Sequence, residues 1–528
     1  MTAARYDVIV VGAGHNGLVA AAYLAKAGRR VLVLEQRAIV GGAAVTEEFT
    51  PGFRVSTVAD GGGYLAPRVV RDLGIDSRVE LVPSDAVAVC PQLDGSRLTI
   101  WRDVARSAAE ISRFSEADGR RYPEFVQLMN RIAEVMAAQM ELTPPELPGL
   151  GLRDARAGSG LLGPVRRLGR KRIGELLRVL SMSVDDLLSE HFESPTVQAA
   201  IGASSVLNIT WGPREAGTVF TMLGNWALGG TGTFRSASFV KGGMGALTGA
   251  LAAAAADYGA EIRTDVAVGR IIVEDGAAAG VALDTGEEVR APTVVSNADP
   301  RTTFHQLVEP RLLPASFLHG LRVMKYRGSA ARVHLALSDL PEFSALGEDD
   351  ADLLRAPIQI APSLDYVQRA YDSTKYGRYS EHPYLDLLIP TLSDPTLAPE
   401  GRHIMSITAK YAPYELRDTS WELEREAFGD IVIDTLAEYV PGVRDLILHR
   451  EVLAPSDLET RFGLIEGNPN HGEMTLDQIF HMRPVAGYAR YRTPVDGLYM
   501  CGAGTHPGGG VTGLPGHNAA REILVDVG

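Results

Sequence analysis

The amino-acid sequence predicts an α/β fold in which one parallel-sheet domain is assembled from separate parts of the chain and a mixed α+β domain is inserted into it. A strand, turn, helix and strand pattern fills the first 35 residues, and strand patterns return at residues 261–296 and 497–501. A chain of 528 residues is also too long for one compact core. We therefore assign residues 1–70, 236–300 and 485–528 to the parallel-sheet domain, and residues 71–235 and 301–484 to the inserted domain.

Composition and charge exclude several classes of protein. Hydrophobic residues make up 45% and charged residues 22% of the chain, an ordinary globular balance. The formal net charge of −14 argues against a nucleic-acid partner, because a polyanion would be repelled. The first apolar run begins at residue 6, which leaves no room for a signal peptide, and we expect a cytoplasmic protein. No metal site is predicted.

The first motif is a glycine-rich turn between a strand and a helix. Residues 6–11 are almost all apolar and β-branched, which is typical of a strand buried on both faces. Gly12, Gly14 and Gly17 follow in a GxGxxG pattern, and a helical stretch covers residues 18–26. Glycines at this spacing allow a tight turn and a close approach of the backbone to a pyrophosphate. The free N–H groups of the helix start favour the same anion.

Two features after this motif distinguish between dinucleotides. The second strand, residues 30–34, ends on Glu35, an acid placed to accept hydrogen bonds from ribose hydroxyls. Gly41 and Gly42 then extend the turn region, as certain FAD proteins do and an NAD-only domain does not need. No second fingerprint of this kind occurs, so we predict one flavin and no dedicated nicotinamide domain.

The end of the chain completes the predicted cofactor site. Residues 497–501 indicate a strand, residues 502–513 are rich in glycine, and a helix starts near residue 516. A glycine loop in this place lets backbone N–H groups reach the ribityl chain and the pyrimidine edge of a flavin. The two ends of the chain together predict a discontinuous Rossmann-type domain that binds FAD non-covalently.

At these residues the chain resembles the phytoene-desaturase-type flavoproteins, and in particular the branch named for a pyridine nucleotide-disulphide oxidoreductase domain. The resemblance runs almost from end to end, through GAGHNGLVAAAYL, GGAAVTEEFTPGF, KGGMGAL, VVSNADP, GEMTLDQIFHMRP and LYMCGAGTHPGGGVTGLPGHNAA. The residues that it implies as FAD contacts are Gly12, Gly14, Asn16, Gly17, Glu35, Arg37, Gly41, Gly42, Ala43, Val268, Gly502, Ala503, Gly510, Val511 and Thr512.

The chain departs from these relatives in three ways. Many of them have arginine after the glycine pair, where this chain has Ala43, and an acid after the glycine that ends the last strand, where it has Ala503. The name of the branch suggests disulfide chemistry, but Cys90 and Cys501 are the only cysteines and do not form a CxxC pair. We therefore predict no disulfide-reductase activity.

Candidate catalytic residues are much less distinct than the cofactor residues. Asp477, Gln478 and His481 cluster before the last strand, near His471, Glu473 and Arg483, and His506 lies within the glycine loop. Any of these side chains could serve as a base for the proton that leaves during dehydrogenation. The alternative, which we favour for Asp477 and His481, is a structural hydrogen-bonding role; His506 is balanced between the two.

Two further segments bear on the substrate. Between residues 193 and 235 the only charges are Arg214 and Glu215, although the stretch includes Trp226 and three other aromatic residues. We expect it to be buried and to line an apolar substrate chamber beside the flavin, the alternative being plain core. Residues 165–180 place leucines and a valine on one helical face and basic residues on the other, a pattern of peripheral membrane contact or of an ordinary surface helix, which we favour.

Our sequence-based hypothesis is an FAD-dependent oxidoreductase of the desaturase, dehydrogenase or isomerase type. It would act on an apolar substrate of polyene or lipid type and pass electrons to oxygen or a quinone, since no NAD(P)H domain is evident. One alternative is an amine-oxidase-like flavoenzyme, against which Ala43 and the lack of a recognisable aromatic pair count. The other is a flavin-binding assembly protein with little catalysis. The sequence does not define the oligomeric state.

Overall fold

The computed structural model describes residues 6–59, 65–146, 152–229, 234–235 and 238–528. The described strands are β1 (Val8–Val11), β2 (Val31–Leu34), β3 (Thr46–Thr50), β4 (Phe53–Ser56), β5 (Leu81–Pro83), β6 (Ala86–Pro91), β7 (Arg97–Trp101), β8 (Ser238–Val240), β9 (Glu261–Arg263), β10 (Val268–Glu274), β11 (Ala277–Leu283), β12 (Glu288–Arg290), β13 (Thr293–Ser296), β14 (Ala330–Leu337), β15 (Ile358–Ile360), β16 (Tyr384–Leu388), β17 (His403–Lys410), β18 (Ile447–Leu453) and β19 (Leu498–Met500).

The described α-helices are α1 (His15–Lys26), α2 (Pro67–Leu73), α3 (Val104–Ile111), α4 (Glu116–Met140), α5 (Leu152–Leu168), α6 (Arg170–Leu180), α7 (Val184–His191), α8 (Pro195–Gly202), α9 (Thr218–Leu228), α10 (Met244–Asp257), α11 (Pro300–Thr302), α12 (Ala315–Val323), α13 (Leu364–Thr374), α14 (Trp421–Ala437), α15 (Val443–Leu446), α16 (Pro455–Phe462) and α17 (Leu514–Val527). None of these helices combines the length and the hydropathy that crossing a bilayer requires.

A five-stranded parallel sheet forms the centre of the first domain, in the order β19-β13-β1-β2-β9. Alternate side chains of β1 pack into hydrophobic clusters on opposite faces of the sheet. Val8 and Val10 pack with α1, α10 and α17, whereas Ile9 and Val11 pack towards β10 and β11. Both faces are therefore covered, which explains the continuous apolar run of this strand. The strands come from the start, the middle and the end of the chain, so the predicted α/β fold with a discontinuous Rossmann-type domain is confirmed. The domain boundaries stay a prediction.

The second domain is built on a seven-stranded sheet in the order β18-β14-β17-β16-β15-β6-β7. Its neighbouring strands are antiparallel, except for the parallel pair of β15 and β6. One face packs against α14, and the strands β6 and β7 also pack against α3, α4 and the helices that follow them. This mixture of antiparallel sheet and helices agrees with the α+β character expected for the inserted region.

Two elements differ from the sequence-based predictions. The strand pattern that begins at residue 261, which the sequence predicts as one strand to residue 273, is interrupted, because β9 pairs in the parallel sheet and β10 pairs with β11. Between them Asp265 has a positive φ of 56°, and the backbone of this stretch donates to the carbonyls of Glu35 and Arg37. The single helix expected over residues 165–180 is divided at Gly169, whose φ of 84° cannot continue a right-handed helix.

The apolar face of the divided helix packs onto the core of the second domain. Leu168 is buried there, and Val165, Leu176 and Leu180 pack against the same cluster. Packing of this face favours the ordinary surface helix over a membrane-binding one. Peripheral membrane contact stays a prediction.

Candidate active site

A cleft of about 450 Å³ opens where the parallel strands end. Its wall includes Val11 and Leu34, the last residues of β1 and β2, and Asn297, which follows β13. This edge is where open parallel sheets bind nucleotides. The predicted cofactor residues that line the cleft are Gly12, Gly14, Asn16, Glu35, Arg37, Gly41, Gly42, Ala43, Val268 and Ala503.

The first glycines shape the cleft at the start of α1. Gly12 has a φ of 93°, and a Cβ on Gly17 would lie 2.3 Å from the carbonyl oxygen of Gly12, so only glycine fits there. Gly14 caps α1 without a side-chain hydrogen bond, and the first turn carries no acid. The helix therefore presents unpaired N–H groups and a positive dipole end to the cleft, as a pyrophosphate requires.

Glu35 ties the end of β2 to the glycine turn. Its carboxylate accepts the backbone N–H of Ala13 at 2.7 Å and that of Arg37 at 3.0 Å, and the side chain is only 6% exposed. Gly41 joins the same wall, because its N–H donates to the carbonyl of Ala13 at 2.9 Å and its φ is 122°. Hydrogen bonds from Ala13 to Glu35 and from Gly41 to Ala13 thus join the end of β2, the glycine turn and the glycine pair into one wall of the cleft.

The other domain contributes a wall that the sequence did not predict. Phe462, Gly463 and Leu464 line the cleft on the side of Glu35. The Arg37 guanidinium lies 5.0 Å from the centre of the Phe462 ring, and Arg461 forms an ion pair with Glu47 at 3.2 Å. No motif marks these residues, because their place depends on how the second domain packs against the first.

Several buried polar atoms in the cleft make no hydrogen bond within the described part of the chain. They are Nε2 of His15, Oδ1 of Asn16, Oδ2 of Asp299 and Nδ1 of His471. Burial lowers the pKa of His15 to about 4 and that of His471 to about 3, so both imidazoles are neutral. Neutral donors and acceptors around an uncapped helix start fit a polar, phosphorylated cofactor, and the residues present fit FAD.

A second cavity of about 80 Å³, which we call the chamber, adjoins the cleft. His15 of the cleft hydrogen-bonds the backbone of Gly510, which lines the chamber, and His471 of the cleft directly follows Asn470, which also lines the chamber. The residues that line the chamber are Met140, Ser204, Ser205, Asn208, Ile209, Phe220, Thr221, Gly224, Asn225, Leu228, Asn470, Met474, Pro507, Gly509, Gly510 and Thr512.

The charge-poor segment 193–235 supplies much of the chamber wall, but not through the residue that the sequence suggested. Phe220, Gly224 and Leu228 of α9 line the chamber. Trp226 does not, because its ring lies in the core of the second domain, 6.2 Å from the ring centre of Phe125. Residues two apart on a helix point to different sides, so the two roles coexist on α9.

The remaining predicted cofactor residues lie behind the cleft wall or line the chamber. Gly17 allows α1 to pack on the turn, and a Cβ on Gly502 would lie 2.7 Å from the carbonyl oxygen of Asn297. Val511 is part of the core shared with α1 and α17. Thr512 and Gly510 line the chamber rather than the cleft.

Asp477, Gln478, His481 and His506 line neither the cleft nor the chamber, whereas His471, which the sequence places near them, lines the cleft. Asp477 forms an exposed ion pair with Lys325 at 3.1 Å, and Gln478 hydrogen-bonds the backbone of the same lysine. His481 is half-exposed and stacks edge-on against Phe480. These contacts favour a structural hydrogen-bonding role for these side chains over the role of a catalytic base.

His506 is buried and has a backbone partner. Its Nε2 lies 3.2 Å from the carbonyl oxygen of Gln139, and burial lowers its pKa to about 4. A neutral imidazole that contacts α4 positions the glycine loop against the second domain. Its contacts therefore favour a structural role over that of a base.

The cysteines are expected to take no part in turnover. Cys90 and Cys501 are buried in different cores, and burial raises the pKa of the Cys90 thiol to about 12 and that of Cys501 further. The double variant C90A/C501A should keep its FAD and its turnover, because neither thiol ionises near neutral pH. Lost turnover in a variant that retains FAD would contradict this prediction.

The similarity of this chain to known proteins agrees with a flavin-binding site in the cleft. The family model described as "Flavin containing amine oxidoreductase" matches residues 17–524. The pyridine nucleotide-disulfide oxidoreductase domain-containing protein 2 of Mus musculus is 35% identical, over 99% of this chain and 94% of its own length. A component of the limonene dehydrogenase of Castellaniella defragrans is 31% identical over 99% and 95%. Prolycopene isomerase 1 of an Oncidium hybrid is 26% identical over 100% and 85%.

Solved structures share the fold. An oxidoreductase from Methanosarcina mazei superposes with a TM-score of 0.61 and 18% identity, over 98% of this chain and 99% of that one. A putrescine oxidase variant reaches a TM-score of 0.59 with 17% identity, over 99% and 98%. The predicted resemblance and the predicted non-covalent FAD are confirmed. The chain therefore belongs to the flavin-containing amine oxidoreductase family and is an FAD-dependent oxidoreductase.

Proposed function

We propose that this oxidoreductase dehydrogenates or isomerises an apolar substrate of polyene or lipid type, bound in the chamber beside the flavin loop. The observation that supports the proposal is the charge of the chamber wall: none of its described lining residues is ionisable. Apolar side chains of Met140, Ile209, Phe220, Leu228 and Met474 share this wall with neutral amides and hydroxyls. A wall of this kind fits a hydrocarbon better than an ion.

The residues of the chamber wall would bind the reacting group of the substrate, orient it and exclude water from it. Phe220 and Leu228 of α9 would pack against it, and the loop from Pro507 to Thr512 would form the opposite side. When bound, FAD supplies the acceptor for the two electrons of a substrate C–H bond. Since no described lining side chain is a strong base, substrate orientation rather than proton abstraction is the contribution of the wall.

The names of two relatives point to the same substrate class. Limonene dehydrogenase and prolycopene isomerase are named for hydrocarbons, and both relatives cover most of this chain. We further propose oxygen or a quinone as the electron acceptor, because the sequence contains one dinucleotide fingerprint and no second one. The putrescine oxidase likeness supports the fold alone, and an ammonium group would find no carboxylate among the described chamber residues.

The chamber can be filled without straining the backbone. Gly224 faces it from the middle of α9, and a Cβ there would meet only Met140 Cε, at an ordinary 3.6 Å. We expect Gly224→Leu to abolish at least nine-tenths of the turnover of an apolar substrate while FAD content is unchanged, because the new side chain occupies the substrate volume. Anaerobic bleaching of the bound flavin measures dehydrogenation of candidate alkenes and amines, and chromatography of the alkene measures isomerisation.

A matched control is available in α10. Gly249 is an exposed helical glycine, and a Cβ added to it would meet nothing within 4 Å, so Gly249→Leu makes the same chemical change away from the chamber. This control should bleach like the parent protein. Rapid bleaching by amines and none by alkenes, or full alkene turnover by Gly224→Leu, would refute the proposal.

A further inference from the structure

Asp299 is a buried carboxylic acid with one oxygen paired and one free. It is 2% exposed and follows β13 by three residues. Its Oδ1 accepts the hydroxyl of Tyr326 at 2.9 Å and the backbone N–H of Arg301 at 2.7 Å. Its Oδ2 makes no hydrogen bond within the described part of the chain, and the residue lines the cleft. A buried oxygen of this kind requires a partner, and the cleft is where one can bind.

The position of Asp299 along the cleft indicates which part of FAD it meets. Strands β13 and β19 are parallel neighbours whose pairing ends with Ser296 opposite Met500, and the segments that follow stay together, because a Cβ on Gly502 would lie 2.7 Å from the carbonyl oxygen of Asn297. The two segments touch, because a Cβ on Gly504 would lie 2.5 Å from the ring of Pro300. Asp299 thus lies next to the glycine loop that is predicted to approach the flavin, two residues beyond Asn297, which packs against Gly12 and Gly14 of the turn.

We propose that Asp299 binds FAD as a carboxylate, with Oδ2 accepting a hydroxyl group of the ribityl chain. The ribityl chain joins the pyrophosphate to the flavin ring and carries the only hydroxyls in that stretch of the cofactor. A carboxylate beside a phosphate would be repelled, whereas beside a hydroxyl it gains a charge-assisted hydrogen bond. The inference concerns the cofactor and does not depend on the proposed substrate.

The titratable groups that face Asp299 have pKa values well away from its own. Burial raises its pKa to about 7, against the opposing effects of the Tyr326 hydroxyl, the backbone N–H groups of Arg301 and Thr302, and the charge of Arg301. Arg483 lies near enough to interact and stays charged, with a pKa of about 10, and the pKa of Tyr326 is raised well above its usual value. His471 and His15, with pKa values of about 3 and 4, do not titrate near pH 7.

The proposal fixes the sign of a pH effect. If FAD binds the carboxylate form, binding releases the proton of Asp299, so the Kd for FAD should fall as the pH rises towards 7 and level off above it. The slope approaches a tenfold change in Kd per pH unit. A protonated Asp299 that donates to a phosphate would produce the opposite slope.

The test measures free FAD by its fluorescence after dilution of the holoenzyme over this pH range. Asp299→Asn keeps an acceptor for Tyr326 but removes the charge, so we expect its Kd to be at least tenfold higher at pH 8 and independent of pH. The control is Asp118→Asn. Asp118 is also buried, but its carboxylate accepts the backbone N–H groups of Glu193 and Ser194, just before α8, and it does not line the cleft.

The outcomes separate a cofactor contact from a structural role. A lower melting temperature with unchanged FAD affinity is expected for Asp118→Asn; the same result for Asp299→Asn would overturn the proposal. A Kd for the parent protein that rises with pH, or that does not change with pH, would overturn it as well. Neither readout requires a substrate, so failure here leaves the proposed function untouched.

Discussion

Replacement of Glu35 by alanine is expected to weaken FAD binding by about 2–4 kcal/mol, a rise in Kd of roughly 30-fold to 700-fold. The carboxylate holds the N–H groups of Ala13 and Arg37, so it fixes the glycine turn against the end of β2. Alanine would leave both N–H groups without their acceptor and would remove the acid that a ribose hydroxyl can use. Fluorescence of FAD released on dilution measures the Kd.

The control for this variant is Glu48→Ala. Glu48 is an exposed acid of β3 that accepts a hydrogen bond from Gly52 and does not line the cleft. It should bind FAD like the parent protein. Full retention of FAD by Glu35→Ala under the same dilution would show that the ribose is held elsewhere and would contradict the role assigned to Glu35.

Replacement of Arg483 by methionine is expected to cost about 3–5 kcal/mol of unfolding free energy, a fall in melting temperature of roughly 3–5 °C for a chain of this length. Arg483 is 1% exposed, and burial lowers its pKa to about 10, so it remains charged. Methionine fills similar space but donates nothing. The carbonyl oxygens that lose a hydrogen bond from Arg483 belong to Ala503, Glu473, Gln478, Asn470 and Gly472.

The same variant should also release FAD faster, because Ala503 lines the cleft and Arg483 holds its carbonyl. Arg369→Met is the control: its side chain is 80% exposed and forms a surface pair with Asp365, which contributes about 1 kcal/mol at most. Differential scanning calorimetry and flavin fluorescence measure the two effects. An unchanged melting temperature for Arg483→Met would show that the segment containing these carbonyls does not depend on Arg483.

The first βαβ unit could be predicted from sequence because its determinants are local. A buried strand is recognisable from consecutive apolar residues, and the glycine spacing reports how closely α1 must approach the turn at Gly12. Glu35 follows its strand directly, so its place at the edge of the sheet was also predictable. The same holds for β19 and the glycine loop that follows it.

The catalytic candidates could not be judged in this way. Asp477, Gln478 and His506 are close in sequence to the flavin loop, yet their side chains face Lys325 and Gln139. Sequence proximity does not give the direction of a side chain in a segment without regular periodicity. The hydrogen bonds that settle these directions join residues far apart in the chain.

The sequence by itself determined the fold class, the cofactor and most of the turn that receives it, since each depends on neighbouring residues and backbone conformation. Only the tertiary structure decided that Phe462 lines the cleft, that α9 turns Gly224 to the chamber and Trp226 to the core, and that Oδ2 of Asp299 has no hydrogen-bond partner in the described part of the chain. These are outcomes of packing between distant segments. Burial and the pairing of polar atoms are properties of the assembled chain, which no local pattern encodes.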